Sequence, residues 1–171
     1  MADIELTDVH EHGFGWIEAG RLQRASHALA REGQVWLVDP LDWEELDERV
    51  AGLGTPAGVV QLLDRHGRNC AAVAARLRVP HSVVPFARPA GFHFECIPAM
   101  RRRRWRETSL WWPEARLLAC ADVLGCAPYF LAPGEELGVH PLLRMTPPQA
   151  LRTARRRAPA AWLNALRTGG R

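Results

Sequence analysis

The chain has 171 residues, of which 47% are hydrophobic and 24% charged, and its formal net charge is +3. These values lie near globular averages, so they exclude a fibrous protein and a wholly disordered one. No apolar run reaches the roughly 18 residues of a membrane-spanning helix, and the N-terminus lacks the layout of a secretory signal. We therefore expect one domain over residues 1–171, located in the cytoplasm, with no membrane partner.

In the first half of the chain, predicted strands alternate with predicted helices. Apolar runs and turn residues indicate the strands, and apolar residues at helical spacing indicate the helices. Alternation of this kind is typical of an α/β fold with a parallel sheet. The predicted strands are 14–17, 25–30, 34–38, 58–63 and 82–84, and the predicted helices are 43–53 and 70–77.

After Pro89-Ala90-Gly91 the pattern changes to short strands separated by turn residues, which predicts an antiparallel meander at 92–97, 108–112 and 116–121. Thr146-Pro147-Pro148 has the capping hydroxyl and first-turn prolines of a helix start. A C-terminal helix is predicted at about 148–168, with apolar residues along one stripe.

Carboxylates follow two strands of the predicted parallel sheet, in Asp39-Pro40 and in Asp64-Arg65-His66, and Asp122 follows a later strand. Functional groups of open α/β sheets lie in the loops after the carboxyl ends of strands. Carboxylate oxygens and a neutral imidazole suit zinc, manganese or iron. The spacing alone is a weak indication of a metal site.

The order of these features resembles the metallo-β-lactamase-fold hydrolases over roughly residues 13 to 145. Leu37-Val38-Asp39-Pro40 matches the end of that family's first strand, and residues 58–63 match the strand before its metal-binding loop. Residues 70–80 are similar to the following alanine-rich helix, and 117–122 to the strand whose aspartate bridges two metals. The resemblance implies an αββα sandwich, with mixed sheets flanked by helices.

In this chain, the loop that corresponds to the family's HxHxDH motif departs from that pattern. Aligned onto it, the first histidine is Asp64, the second is His66, the aspartate is Arg68 and the last histidine is Asn69. Arginine has no lone pair to donate and stays charged, so Arg68 puts a permanent cation where the second metal would sit. We therefore expect a degenerate site that has lost the dinuclear centre.

Two interpretations of the remaining residues stay open. Asp64, His66 and Asp122 are three potential ligands for one divalent metal, the layout of a mononuclear hydrolase of an anionic ester or phosphate. Alternatively, Asp64 and Asp122 neutralise Arg65 and Arg68, and the protein binds no metal or other cofactor. We favour the second interpretation, a non-catalytic or ligand-binding protein; an active protein would be a metal-dependent hydrolase.

All 22 basic residues are arginine, and they cluster at 101–106 and 152–157. Arg65, Arg101 and Arg103 are candidates for binding a small anionic ligand. A solvated face or an acidic partner protein ranks ahead of an arginine-rich nucleic-acid-binding function, and assembly into a homo-oligomer stays open. The four cysteines form no CxxC pair and are typical of reduced core thiols, and Ser26-His27 is typical of a partly buried polar pair.

Overall fold

The computed structural model describes residues 4–19, 24–115 and 117–122. The predicted C-terminal helix, Cys126, and the arginines of 152–157 lie outside these residues. The chain divides into two compact units, one ending at Val83 and the other beginning at Val84. The expectation of a single domain over 1–171 stays a prediction.

The first unit is a six-stranded sheet with two helices. The elements are β1 (Ile4–His10), β2 (Gly13–Glu18), β3 (Ala25–Arg31), β4 (Gln34–Val38), α1 (Leu46–Leu53), β5 (Thr55–Gln61), α2 (Cys70–Leu77) and β6 (His81–Val83). Consecutive strands from β1 to β4 pair antiparallel. The pairs β4–β5 and β5–β6 are parallel, because a helix between the two strands returns the chain to the same edge of the sheet.

Both helices contribute to one core on one face of this sheet. Alternate residues of the strands point to that face, and Val50 of α1 and Val73 of α2 pack among them. Leu29, Trp36 and Val60 point to the opposite face and are buried as well. Burial of both faces explains why the apolar run at 34–38 is nearly continuous.

The second unit contains an antiparallel three-stranded sheet of β7 (Glu95–Arg102), β8 (Trp105–Trp112) and β9 (Leu117–Ala119). Phe94 packs edge-on against Trp112, with ring centroids 5.3 Å apart. The fully buried Glu107 carboxylate of β8 accepts hydrogen bonds from Trp105 Nε1 and from the backbone nitrogen of Ala121. A buried carboxylate held by two donors stabilises this sheet.

Sequence and structure differ at the N-terminus and at the arginine run. The N-terminal segment, for which no element was predicted, forms β1, in which Ile4 and Leu6 pack against the core and Glu5 is exposed. The arginine run, which lies between the predicted strands 92–97 and 108–112, forms the tip of the β7–β8 hairpin, with Arg103-Arg104 as its turn. In the described part of the chain, no helix is long and apolar enough to cross a membrane.

Candidate functional site

The candidate site lies where the chain leaves β4 and β5, two neighbouring parallel strands. The backbone nitrogen of Asp39 donates to Val60 O at 2.9 Å, which continues the strand pairing into the first loop. Asn69 N donates to Pro40 O at 3.4 Å. The loop of residues 39–42 and the loop of residues 64–69 therefore lie side by side.

Asp39 is the central residue of the site. Its side chain is buried and its backbone has φ 46°, in the left-handed region that few residues other than glycine, asparagine and aspartate adopt. The carboxylate Oδ1 accepts from Leu62 N at 2.8 Å, and Oδ2 lies 3.0 Å from His66 Nδ1. The carboxylate thus joins the two strand-end loops.

The neighbours of His66 Nδ1 determine which ring nitrogen carries the proton. This atom lies 3.0 Å from Asp39 Oδ2 and 3.3 Å from Arg68 Nη2. A guanidinium can only donate and an ionised carboxylate can only accept, so the shorter contact places a proton on Nδ1 that is donated to Asp39. In the neutral ring the lone pair then lies on Nε2.

Arg68 is bound by backbone carbonyl groups. Its Nη1 donates to Ala25 O, at the start of β3, and to Asp39 O at 3.0 Å. Its backbone also has a positive φ, 34°. Two non-glycine residues in this costly conformation within one site indicate that surrounding contacts hold the backbone there. Arg68 therefore connects β3, the end of β4 and the 64–69 loop.

Ser26 and Asn69 hold the 39–42 loop from its two sides. Ser26 Oγ donates to Asp39 O at 2.8 Å and accepts from Leu41 N at 3.0 Å. Asn69 Oδ1 accepts from Asp42 N at 3.0 Å. Ser26 and its neighbour His27 are fully buried rather than partly buried as expected, because β3 is an interior strand.

The other candidate residues are distributed over the two units. Asp64 and Arg65 are exposed at the start of the 64–69 loop, and Asp122 follows β9 in the second unit. Arg101 and Arg103 are exposed on the β7–β8 hairpin. Asp39 was recognised from the sequence as a carboxylate at the end of a buried strand, but it was not placed among the residues of the degenerate site.

These residues do not fit a metal ion. Among residues 4–19, 24–115 and 117–122, no three histidine, cysteine, aspartate or glutamate side chains are grouped so that they could hold one. Burial, with the nearby Asp39 charge, raises the pKa of the Cys70 thiol to about 12, as for a core thiol. The Arg68 guanidinium lies 3.3 Å from His66 Nδ1, so a permanent cation already stands beside the imidazole.

The buried His27 predicts a pH dependence of stability. Burial, with smaller contributions from Arg68 and His10, lowers the pKa of His27 well below its ordinary 6.5. Below pH 6.5 the unfolded chain therefore binds a proton that the folded chain does not, so the free energy of unfolding falls as pH decreases. We expect a slope approaching about 1.4 kcal/mol per pH unit from this residue, measured by urea denaturation between pH 7.5 and 5.5.

His27→Leu is the control for this effect. Leucine is apolar and of comparable size and does not titrate. The variant should therefore lose the part of the slope of unfolding free energy against pH that comes from one proton. His81, whose pKa is also lowered by burial, would remain as a source of residual slope in the same direction. Equal slopes in the wild-type protein and the variant would show that His27 titrates normally when folded.

The sheets and the two parallel crossovers define a mixed α/β fold that is dominated by sheet. The crystal structure of the DIM-1 metallo-β-lactamase exposed to ceftazidime is similar, with a TM-score of 0.52 and 10% identity, covering 74% of this chain and 73% of that chain. The apo chemotaxis sensor ODP from T. denticola gives a TM-score of 0.43 at 10% identity, covering 72% and 64%. No family model and no curated protein matches the sequence. The similarity to the DIM-1 enzyme concerns the fold alone, which is metallo-β-lactamase-like.

Proposed function

We propose that the protein is a metallo-β-lactamase-like domain that has lost the dinuclear metal site and acts by binding a ligand, without hydrolysis. The proposal includes the αββα arrangement of that fold, which the similarity to the DIM-1 enzyme supports. It also includes the interpretation of residues 64–69 as a degenerate metal-binding loop.

One observation carries the proposal: hydrogen bonds join Asp39, His66 and Arg68 to one another and to the surrounding backbone. Asp39 accepts the His66 proton, and Arg68 donates to two strand-end carbonyls. A guanidinium supplies a fixed positive charge beside a carboxylate, but it cannot bind and activate water as a Lewis acid. In this arrangement the Arg68 cation holds the two loops together, so they need no metal ion for that purpose.

The metal content of the purified protein tests this proposal. We expect purification without chelator to yield far less than one equivalent of zinc, manganese and iron together, measured by elemental analysis. We also expect chelator to leave the melting temperature unchanged, because the network contains no metal-dependent contact. No turnover of β-lactam, thioester or phosphodiester substrates is expected.

The mononuclear hydrolase gives the opposite results. About one equivalent of metal, lost on Asp64→Ala and on Asp122→Ala together with a hydrolytic activity, would overturn the proposal. Glu48→Ala, which removes an exposed carboxylate of α1 in the first unit, is the matched control and should not change the metal content.

A further inference from the structure

The β7–β8 hairpin carries three consecutive exposed arginines at its tip, Arg101, Arg102 and Arg103, which we call the arginine tip. In the part of the chain that the structure describes, no carboxylate lies within 4 Å of their guanidinium groups. The guanidinium carbon of Arg101 lies 4.5 Å from the centroid of the Phe86 ring, a contact that orients the side chain but supplies no negative charge. The arginine tip therefore presents three positive charges to solvent.

The first unit carries a surface of opposite charge at the start of α1. Its four exposed carboxylates, which we call the acidic surface, are Glu44, Glu45, Asp47 and Glu48. Arg49 Nη2 donates to Glu45 at 2.9 Å. Among the described residues, Glu44 and Glu48 have no cationic group within 4 Å. The acidic surface therefore keeps negative charge that the surrounding arginines do not pair.

A cavity of about 440 Å³ adjoins the acidic surface. It is lined by Asp42, Trp43, Glu44, Asp47 and Arg76. Arg76 shows that these carboxylates can hold a guanidinium, because its Nη2 donates to Asp42 Oδ1 at 2.7 Å and to Asp47 Oδ1 at 2.9 Å. Glu44 adds a further carboxylate to the wall. The cavity thus has the charge and the concave shape to receive a second arginine side chain.

We infer that the chain associates with a second copy of itself, with the arginine tip of one protomer seated on the acidic surface and in the cavity of its partner. A hairpin turn is convex and the cavity is concave, so the two surfaces are complementary in shape as well as in charge. Opposite potentials of this kind favour specific association. Another acidic protein would have to supply a matching surface, whereas every copy of this chain already carries one.

The inferred contact joins unlike surfaces of the two copies. Neither surface includes Asp39, His66 or Arg68, so the inference does not rest on the proposed loss of metal. Charged contacts between exposed groups weaken as salt screens them. The association should therefore depend on salt and on the identity of the charges at the two surfaces.

Sedimentation velocity of the full chain over a range of protein concentrations tests the inference. The Debye length falls from about 10 Å at 0.1 M salt to about 3 Å at 1 M salt. We expect the weight-average mass of the wild-type protein to rise with concentration at the lower salt. The association constant should be at least about tenfold smaller at the higher salt, because the attraction between the two surfaces is screened.

Two charge-reversed variants identify the partner. Arg102→Glu with Arg103→Glu reverses the arginine tip, and Glu44→Arg with Glu48→Arg reverses the acidic surface. Each variant alone should associate at least about tenfold more weakly than the wild type, since like charges then face each other. An equimolar mixture should regain the association, because the intact arginine tip of one variant meets the intact acidic surface of the other.

Arg88→Glu is the charge-matched control for Arg103→Glu. Arg88 is an exposed arginine of the second unit outside the arginine tip, so its reversal changes the net charge equally. Arg103→Glu should weaken association several-fold, whereas Arg88→Glu should leave it within about twofold of the wild type.

Four results would overturn the inference. They are a wild-type protein that stays monomeric at the lower salt, an association insensitive to salt, equal losses for Arg103→Glu and Arg88→Glu, or a mixture of the two reversed variants that stays monomeric. Circular dichroism and melting temperature establish that each variant is folded. Metal content is measured separately, so failure of this inference and failure of the proposed function are distinguishable.

Discussion

Asp39→Ala is expected to lower the free energy of unfolding by about 3 kcal/mol, because it removes an acceptor from two buried or half-buried donors. Leu62 N, at 2.8 Å from Oδ1, and His66 Nδ1, at 3.0 Å from Oδ2, both lose their acceptor. Alanine also tolerates the φ of 46° less well than aspartate does. Urea denaturation in the presence of chelator measures the loss independently of any metal.

Asp39→Asn is the matched control for this effect. Asparagine adopts the same backbone conformation, and its amide can accept from Leu62 N while donating to the other tautomer of His66. We expect the free energy of unfolding to fall by about 1 kcal/mol, because a charged hydrogen bond is exchanged for a neutral one. If the alanine variant were no less stable than the asparagine variant, the carboxylate would not be what holds the two loops together.

Gly58→Ala is also expected to lower the free energy of unfolding, by about 3 kcal/mol or more. A Cβ atom at Gly58 would lie 2.1 Å from Cζ3 and 2.6 Å from Cε3 of Trp36, its partner on β4. The Trp36 side chain is buried and its ring is rigid, so β4 and β5 would have to separate. Since the candidate site begins where these two strands end, the loops would be displaced as well.

Two variants test the steric explanation. Gly52→Ala, in α1, meets nothing within 4 Å and should raise stability by about 0.5–1 kcal/mol through helix propensity. Trp36→Leu should make the protein tolerant of Gly58→Ala, because the atoms that would clash are removed. If Gly58→Ala were as harmful with leucine at position 36, backbone conformation rather than the ring would be the cause.

The local sequence patterns predicted most of the secondary structure. The strands at 25–30 and 34–38 and the helix at 70–77 are confirmed as β3, β4 and α2, with similar bounds. These elements are predictable because one burial pattern runs through each of them. The strand β1 was missed because charged residues within it concealed the alternation of Ile4, Leu6 and their exposed neighbours.

The site was predictable in part. The sequence shows that Arg68 has no lone pair for a metal ion, because that follows from the chemistry of its side chain, whereas its place in a degenerate metal-binding loop stays a prediction. It does not show that Asp39 would accept the His66 proton, or that Arg68 would donate to Ala25 O. Those contacts join residues 27 and 43 positions apart in the chain, and no local pattern encodes such a pairing.

Local sequence patterns were sufficient to predict the alternation of strands and helices, and side-chain chemistry alone shows that Arg68 in the 64–69 loop cannot be a metal ligand. The tertiary structure alone decided which of those residues meet: His66, Arg68 and Asn69 turn towards the 39–42 loop, whereas Asp64 and Arg65 are exposed. The physical reason is the parallel pairing of β4 and β5. It places the two strand ends at one edge of the sheet, where buried polar groups must find hydrogen-bond partners in each other.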